Sequence, residues 1–212
     1  TTGYTGALTR TLVSSSVAIP TSGVIFAEDN VWIRTNGNFN GRLTIAAGRL
    51  ASSSNNANIT IVDNIKYNAK NGADAIGLIA EGDVELAPYA PPNTGNFTLE
   101  VNAAIIAQSG SVLYPSNYTS GSGTCTKGWV GANQLFSFYG SIATRQTWTW
   151  TWSWGNNPCG NNVKVPSVNN YVSGVLNNTT QYDYNLLYAP PPSFPITSSY
   201  NILSWREVLV TP

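Results

Sequence analysis

Four tryptophans alternate with small hydroxyl residues in one stretch of this chain. They are Trp148, Trp150, Trp152 and Trp154, separated by Thr149, Thr151 and Ser153. Alternate side chains of a β-strand point to opposite faces, so all four indoles would share one face. One interpretation of such a face is an aromatic contact surface for sugar rings, bases or a partner protein. The pattern favours the other interpretation, a β-hairpin laid over the protein with its indoles packed inward, and residues 135–139 are its predicted cross-strand partners.

The acidic residues occur in short groups whose chemistry depends on where they lie. These groups are Glu28 with Asp29, Asp63 alone, and Glu81 with Asp83 and Glu85. Several carboxylates on one face would suit a polysaccharide-acting enzyme, and clustered oxygen ligands would suit calcium. Asp29 and Asp83 occupy turn positions, however, where a carboxylate caps backbone amides. Turn capping is therefore the main interpretation, calcium at Glu81, Asp83 or Glu85 is the alternative, and we expect no metal or cofactor.

Histidine is absent from all 212 residues. Its absence excludes a Ser-His-Asp triad, a Cys-His pair and a histidine-bearing zinc site. We therefore predict a non-enzymatic protein without catalytic residues.

The main positive cluster is predicted to consist of Arg34, Arg42, Arg49 and Arg145. Arg42 is nevertheless better interpreted as a residue that stacks or bonds to backbone.

Charged residues make up only 9% of the chain, and ten acidic residues balance ten basic ones. A neutral surface rich in Ser, Thr, Asn and Gly argues against nucleic-acid binding. No apolar run approaches the ~20 residues of a membrane span, so we expect no membrane contact from this segment. Cys125 and Cys159 lie among Gly, Asn and Ser, which predicts a disulfide and an oxidising, extracellular location.

One short phrase recurs along the chain: apolar residues, a small residue, a polar turn and another aliphatic residue. The small residues are Ala27, Ala47, Ala80, Ala107 and Gly140. Recurrence at intervals of about 20–50 residues is typical of stacked repeats. Since strand signals are strong and helical periodicity is nearly absent, we predict an all-β, right-handed parallel β-solenoid (β-helix). A β-sandwich is the alternative, because short, closely spaced strands also predict one.

A single domain is predicted over residues 1–212. Its parts are an N-terminal cap or edge strand (1–22), the stacked rungs (23–145), an overlapping Trp-rich hairpin excursion bracketed by the Cys125–Cys159 disulfide (114–178), and a Pro-rich C-terminal cap (179–212). Caps are expected because a solenoid otherwise exposes an open apolar end. In the C-terminal cap, Trp205 is expected to cover that end.

Six motifs follow one another in an order that resembles a known family. They are Gly23–Val31 with Asn40–Ala47, Gly77–Val84, Val101–Ala107, Tyr139–Ala143, Tyr182–Leu187, and Pro190–Pro195 with Ser204–Glu207. Together they resemble an extracellular β-solenoid module of bacterial surface proteins that have prepilin-type N-termini and are linked to type IV pili. A similar solenoid occurs in a competence-linked minor pilin. The resemblance covers about residues 23 to 207, and the Cys-bracketed Trp segment departs from it.

The resemblance implies an exposed module of a pilus-associated or other bacterial cell-surface protein, with pilus or surface subunits as partners. We therefore predict a structural and adhesion module that presents the four tryptophans to a partner, a glycan or another polymer. A DNA-binding minor-pilin module in natural transformation is one alternative. The others are a polysaccharide-acting β-helix enzyme and a sheath subunit that assembles with itself.

Overall fold

The computed structural model describes residues 17–50, 55–87, 97–115, 134–154, 163–165 and 169–195. Within these ranges the protein is all-β, as predicted, with one short 3₁₀ helix at Tyr184–Leu187. No helix in these ranges is long and apolar enough to cross a bilayer. The predicted disulfide, most of the N-terminal segment and the motif at Ser204–Glu207 lie outside the described residues.

The strands form three parallel sheets and one small antiparallel sheet. The first sheet has the order β1 (Val24–Ala27), β4 (Arg42–Ala47), β7 (Ala75–Ala80), β9 (Phe97–Ala107), β11 (Gln134–Thr144) and β15 (Asn177–Tyr182). The second has the order β10 (Val112–Leu113), β8 (Val84–Leu86), β5 (Ile59–Ile61) and β2 (Val31–Ile33). The third pairs β3 (Asn38–Phe39) with β6 (Lys66–Tyr67). The antiparallel sheet has the order β12 (Thr151–Trp154), β14 (Asn170–Gly174) and β13 (Val163–Val165).

Each of four successive strands of the first sheet is followed in the chain by a strand of the second sheet. The pairs are β1 with β2, β4 with β5, β7 with β8, and β9 with β10, and we call each pair a repeat unit. Neighbouring units pair strand on strand in parallel. The sandwich alternative is therefore wrong for the described strands, because sandwich sheets are antiparallel.

The register confirms four of the five predicted small positions. Ala27, Ala47, Ala80 and Ala107 lie directly opposite one another in successive strands of the first sheet. The fifth assignment is wrong, since Thr144 rather than Gly140 faces Ala107. The long β9–β11 ladder sets this register by aligning the large inward side chains, for example Phe136 with Leu99 and Phe138 with Val101.

The core lies between the first and second sheets and is formed by the inward-facing side chains of both. Ile45, Leu78, Ile105 and Ile142 stack in register along the first sheet. Facing them from the second sheet are the fully buried Ile59, Ile61, Val84 and Leu86. Each unit thus buries an apolar face that it could not cover alone.

Of the predicted C-terminal cap (179–212), residues 196–212 lie outside the described residues, and residues 179–182 belong to β15. Pro190–Pro195 runs back over the outer face of β4 and β7, where Thr44 Oγ1 donates to the Pro192 carbonyl. A Cβ atom at Gly77 would lie 2.7 Å from a ring carbon of Phe194, so only glycine leaves room for the segment. Because the segment continues from β15 and the 3₁₀ helix, it connects β4 and β7 to the last strand of the first sheet.

Candidate functional site

Polar side chains at the turns between the two main sheets connect one repeat unit to the next. Asn30 Oδ1 accepts from the Asn58 amide at 2.9 Å, and Asn58 Oδ1 accepts from the Asp83 amide at 2.8 Å. Asp83 Oδ1 in turn accepts from the Ser111 amide at 2.7 Å. We call these four residues the corner ladder. The turn-capping interpretation of Asp83 is confirmed, and its carboxylate caps the turn of the following unit.

Removing the middle acceptor of the corner ladder should destabilise the protein. In Asn58→Ala the Asp83 amide, which is partly buried, loses its side-chain acceptor. We expect the free energy of unfolding to fall by about 1–3 kcal/mol, the cost of an unsatisfied buried donor. Urea denaturation measures this change. Asn56→Ala is the matched control, because Asn56 bonds to Ser109 at the exposed surface, and a loss as large as that of Asn58→Ala would contradict the ladder.

The remaining turn carboxylates also bind backbone amides. Asp29 Oδ1 accepts from the Asn30 amide at 2.7 Å and from Arg49 at 2.6 Å. The hydrogen bond from the Asn30 amide contributes most, and the positive charge of Arg49 adds to it. Together they hold the pKa of Asp29 below its usual value. Glu81 Oε2 accepts from the Arg49 amide at 2.9 Å. Within the described ranges, no three His, Cys, Asp or Glu side chains come together as a metal-binding group.

The four arginines predicted as a positive cluster have separate surroundings. Arg34 lies 3.9 Å from Asp63, and Arg49 pairs with Asp29. Arg42 donates to the Gly72 carbonyl at 2.7 Å and to the Pro190 carbonyl, which confirms its interpretation as a backbone-bonding residue. It thereby holds the Pro-rich segment. Arg145 follows β11 with an exposed side chain.

The Trp-rich stretch begins as a one-residue extension of the second sheet. The Thr149 amide donates to the Val112 carbonyl, and the Tyr114 amide donates to the Thr149 carbonyl, both at 3.0 Å. The chain then bends, and Thr149 Oγ1 donates to the Thr151 carbonyl at 2.8 Å. After the bend, β12 pairs with β14 in the antiparallel sheet. The single strand expected from the alternating pattern is therefore divided at the bend.

The tryptophans consequently have different environments. Trp150 is buried, with 4% of its surface exposed, and its ring centroid lies 4.8 Å from that of Phe136. Trp148 is 45% exposed, and its ring centroid lies 5.8 Å from that of Trp150. Trp152 is half-buried and donates from Nε1 to the Tyr114 carbonyl at 2.7 Å. Trp154 ends β12 with its backbone opposite Tyr171.

The predicted pairing of this stretch with residues 135–139 is wrong. These residues belong to β11, whose two edges are both occupied in parallel by β9 and β15. Instead, the Val175 amide donates to the Trp150 carbonyl at 2.7 Å. Because Val172 and Val175 are buried as well, the Trp-rich stretch and β14 cover the end of the core.

A shallow depression of about 470 Å³ lies along the end of the first sheet. Its lining is uncharged and includes Thr98, Leu135, Ser137, Asn177 and Thr179. Leu135 is 43% exposed there, since it points away from the core. Sequence reasoning missed this surface, because it forms only when three strands distant in the chain pair in register.

A second polar cluster was also missed by sequence reasoning. Lys70 Nζ lies 2.8 Å from Glu100 Oε1 and 5.0 Å from the centroid of the Tyr139 ring. Tyr139 Oη donates to Asp183 Oδ1 at 2.8 Å. Burial, together with the hydrogen bond to Asp183, raises the pKa of Tyr139. The available signal was the Tyr182–Leu187 motif, which contains Asp183.

The Glu100 carboxylate receives two hydrogen bonds on one oxygen. Lys70 Nζ donates at 2.8 Å and Asn102 Nδ2 donates at 3.0 Å, both to Oε1. Burial raises the pKa of Glu100, but the hydrogen bonds from Lys70 and Asn102 outweigh burial and hold it below its usual value. The carboxylate is therefore ionised at neutral pH.

Comparison of the chain with protein-family models, with curated proteins and with solved structures finds no match to any of them. The resemblance drawn from the six motifs accordingly stays a prediction.

Proposed function

We propose that this chain is a right-handed parallel β-solenoid module of a bacterial cell-surface or pilus-associated protein, with a non-enzymatic role in structure and adhesion. The four repeat units and the corner ladder support a stiff body, because every unit is bonded to its neighbours through backbone and side chains. The low charge and hydroxyl-rich composition support an extracellular setting. Pilus or other surface subunits are the proposed partners.

The exposed indole of Trp148 is the observation that carries this proposal. Its ring neighbour Trp150 is buried in the core and the next residue, Thr149, pairs with the second sheet, so both hold the Trp148 indole in place. Large aromatic side chains of this kind contribute much of the energy at binding surfaces and lose little conformational entropy. Of the four tryptophans predicted as the contact set, Trp148 is the proposed principal contact, and Trp152 and Trp154 continue the same stretch.

The surroundings favour a neutral glycan over DNA as the polymer that binds. DNA binding needs clustered Lys and Arg for phosphate contacts, whereas Arg34, Arg42 and Arg49 bind separate partners within the protein. Cleavage of a glycan needs two carboxylates facing the substrate, whereas Asp29, Glu81 and Asp83 each accept a hydrogen bond from a backbone amide of the protein itself. Binding without cleavage is therefore the proposed activity.

A glycan array and a DNA gel-shift assay on purified protein test this proposal. We expect the wild type to bind at least one neutral glycan, and Trp148→Ala to weaken that binding about tenfold or more, as hot-spot residues do. Trp32→Ala is the matched control, because Trp32 is exposed to nearly the same extent, 43%, but lies on β2. It should bind as the wild type does.

Two results would contradict the proposal. Equal binding by the wild type and Trp148→Ala would show that Trp148 is not the contact. Salt-dependent DNA binding without glycan binding would favour the natural-transformation alternative instead.

A further inference from the structure

Three side chains with complementary chemistry meet on the outer face of β9. They are an amine, a carboxylate and a carboxamide: Lys70, Glu100 and Asn102. Lys70 lies in the loop between β6 and β7, whereas the other two lie two residues apart on the same strand. Because amine and carboxamide both bond to the same carboxylate oxygen, at 2.8 and 3.0 Å, the structure brings the two nitrogens close together.

The carboxamide of Asn102 is held in an unusual state. Asn102 is fully buried, and its Oδ1 atom has no hydrogen-bond partner within the described part of the chain. A buried carbonyl without a donor is unfavourable and calls for an explanation. In addition, the ring of Tyr139, which lies opposite Asn102 in the β9–β11 register, is close to Lys70 Nζ. The carboxamide itself is thus shielded from water, whereas the amine beside it is partly exposed.

We propose that Lys70 and Asn102 join through an intramolecular isopeptide bond, with Glu100 as the catalytic proton carrier. This is a modification of the protein itself and does not depend on which ligand the module binds. It would tie the loop before β7 to β9 covalently and so resist separation of neighbouring repeat units.

The reaction balances without any external reagent. Glu100 takes a proton from the Lys70 ammonium, and the lone pair of Nζ attacks Cγ of Asn102, forming the C–N bond. Glu100 passes the proton to Nδ2, and the Cγ–Nδ2 bond breaks as the carbonyl reforms. The nitrogen leaves as ammonia, which takes up the second proton lost from Nζ and departs as ammonium. Lys70 is 44% exposed, so the leaving group has a route to solvent.

Mass spectrometry of the purified, denatured protein tests this proposal. We expect the measured intact mass to be lower than the mass calculated from the sequence by the mass of one ammonia molecule. After prolonged incubation at alkaline pH, all of the protein should show this loss. Protease digestion should then yield a branched peptide that joins Lys70 to Asn102. Glu100→Gln and Lys70→Arg should both keep the full sequence mass. Lys66→Arg, which changes the neighbouring lysine on β6, is the control and should still lose ammonia.

The proposal is overturned if the wild type keeps its full mass after that incubation, or if Glu100→Gln still forms the branched peptide. It is also overturned if ammonia is lost without a branched peptide. Such a loss would place the change at an Asn-Gly pair such as Asn71-Gly72, where a succinimide forms with the same loss of mass. Circular dichroism of each variant confirms that it is folded.

Discussion

Trp150→Ala should lower the free energy of unfolding by about 3–5 kcal/mol, the range for large aromatic side chains removed from a core. The Trp150 indole is 4% exposed and packs edge-on against Phe136 at 4.8 Å and near Phe138 at 6.3 Å. Its buried Nε1 has no hydrogen-bond partner in the described ranges, so the stabilisation comes from packing. Removing the indole would open the end of the core that it covers.

Trp148→Ala is the matched control for this effect. The same substitution two residues earlier removes an indole that is 45% exposed, and we expect a loss below about 1 kcal/mol, since exposed sites contribute little. Urea denaturation with tryptophan fluorescence or circular dichroism measures both variants. Similar losses in the two variants would contradict the division of the Trp-rich stretch into a core residue and a surface residue.

Gly140→Ala should be the most damaging single-methyl change in the described chain. A Cβ atom at Gly140 would lie 1.8 Å from the Ala103 carbonyl oxygen, which is backbone of the adjacent strand. The contact cannot be relieved by a side-chain rotation, so β9 and β11 must move apart and lose part of their ladder. We expect a loss of at least about 3 kcal/mol or failure to fold, at the severe end of single substitutions.

The control for Gly140 is Gly48→Ala. There the added Cβ would meet only the ring of Phe26, at 3.4 Å, and we expect a change within about 0.5 kcal/mol. Thermal unfolding followed by circular dichroism compares the two variants. A Gly140→Ala protein as stable as the wild type would contradict the β9–β11 register.

Local patterns in the sequence predicted much of this architecture. The recurring phrase placed Ala27, Ala47, Ala80 and Ala107 correctly, because each ends a run of apolar residues just before a polar turn. It misplaced the fifth position, since Gly140 resembles the others locally but the long β9–β11 ladder aligns Thr144 with Ala107. Register over a long ladder depends on the fit of many side chains, which no short phrase contains.

The site was harder to predict, because its residues meet across the repeat units. The alternating pattern of the tryptophans predicted neighbouring indoles, and Trp148 and Trp150 are neighbours, but it did not predict the bend at Trp150. Nothing near Lys70 in the sequence indicates Glu100 or Asn102, since the contact follows from the pairing of whole strands. The path of the Pro-rich segment was missed for the same reason, because it fits over Gly77, which only the folded sheet places beneath it.

We propose that one stretch of the chain both closes the core, through Trp150, and presents an aromatic contact, through Trp148, and hydroxyl-radical footprinting of the native protein tests this claim. Peptide mass spectrometry reads the oxidation rate of each tryptophan separately. We predict that Trp148 is oxidised several times faster than Trp150 in the folded protein, and that the difference disappears in denaturant. Equal rates in the folded protein, or faster oxidation of Trp150, would contradict the claim.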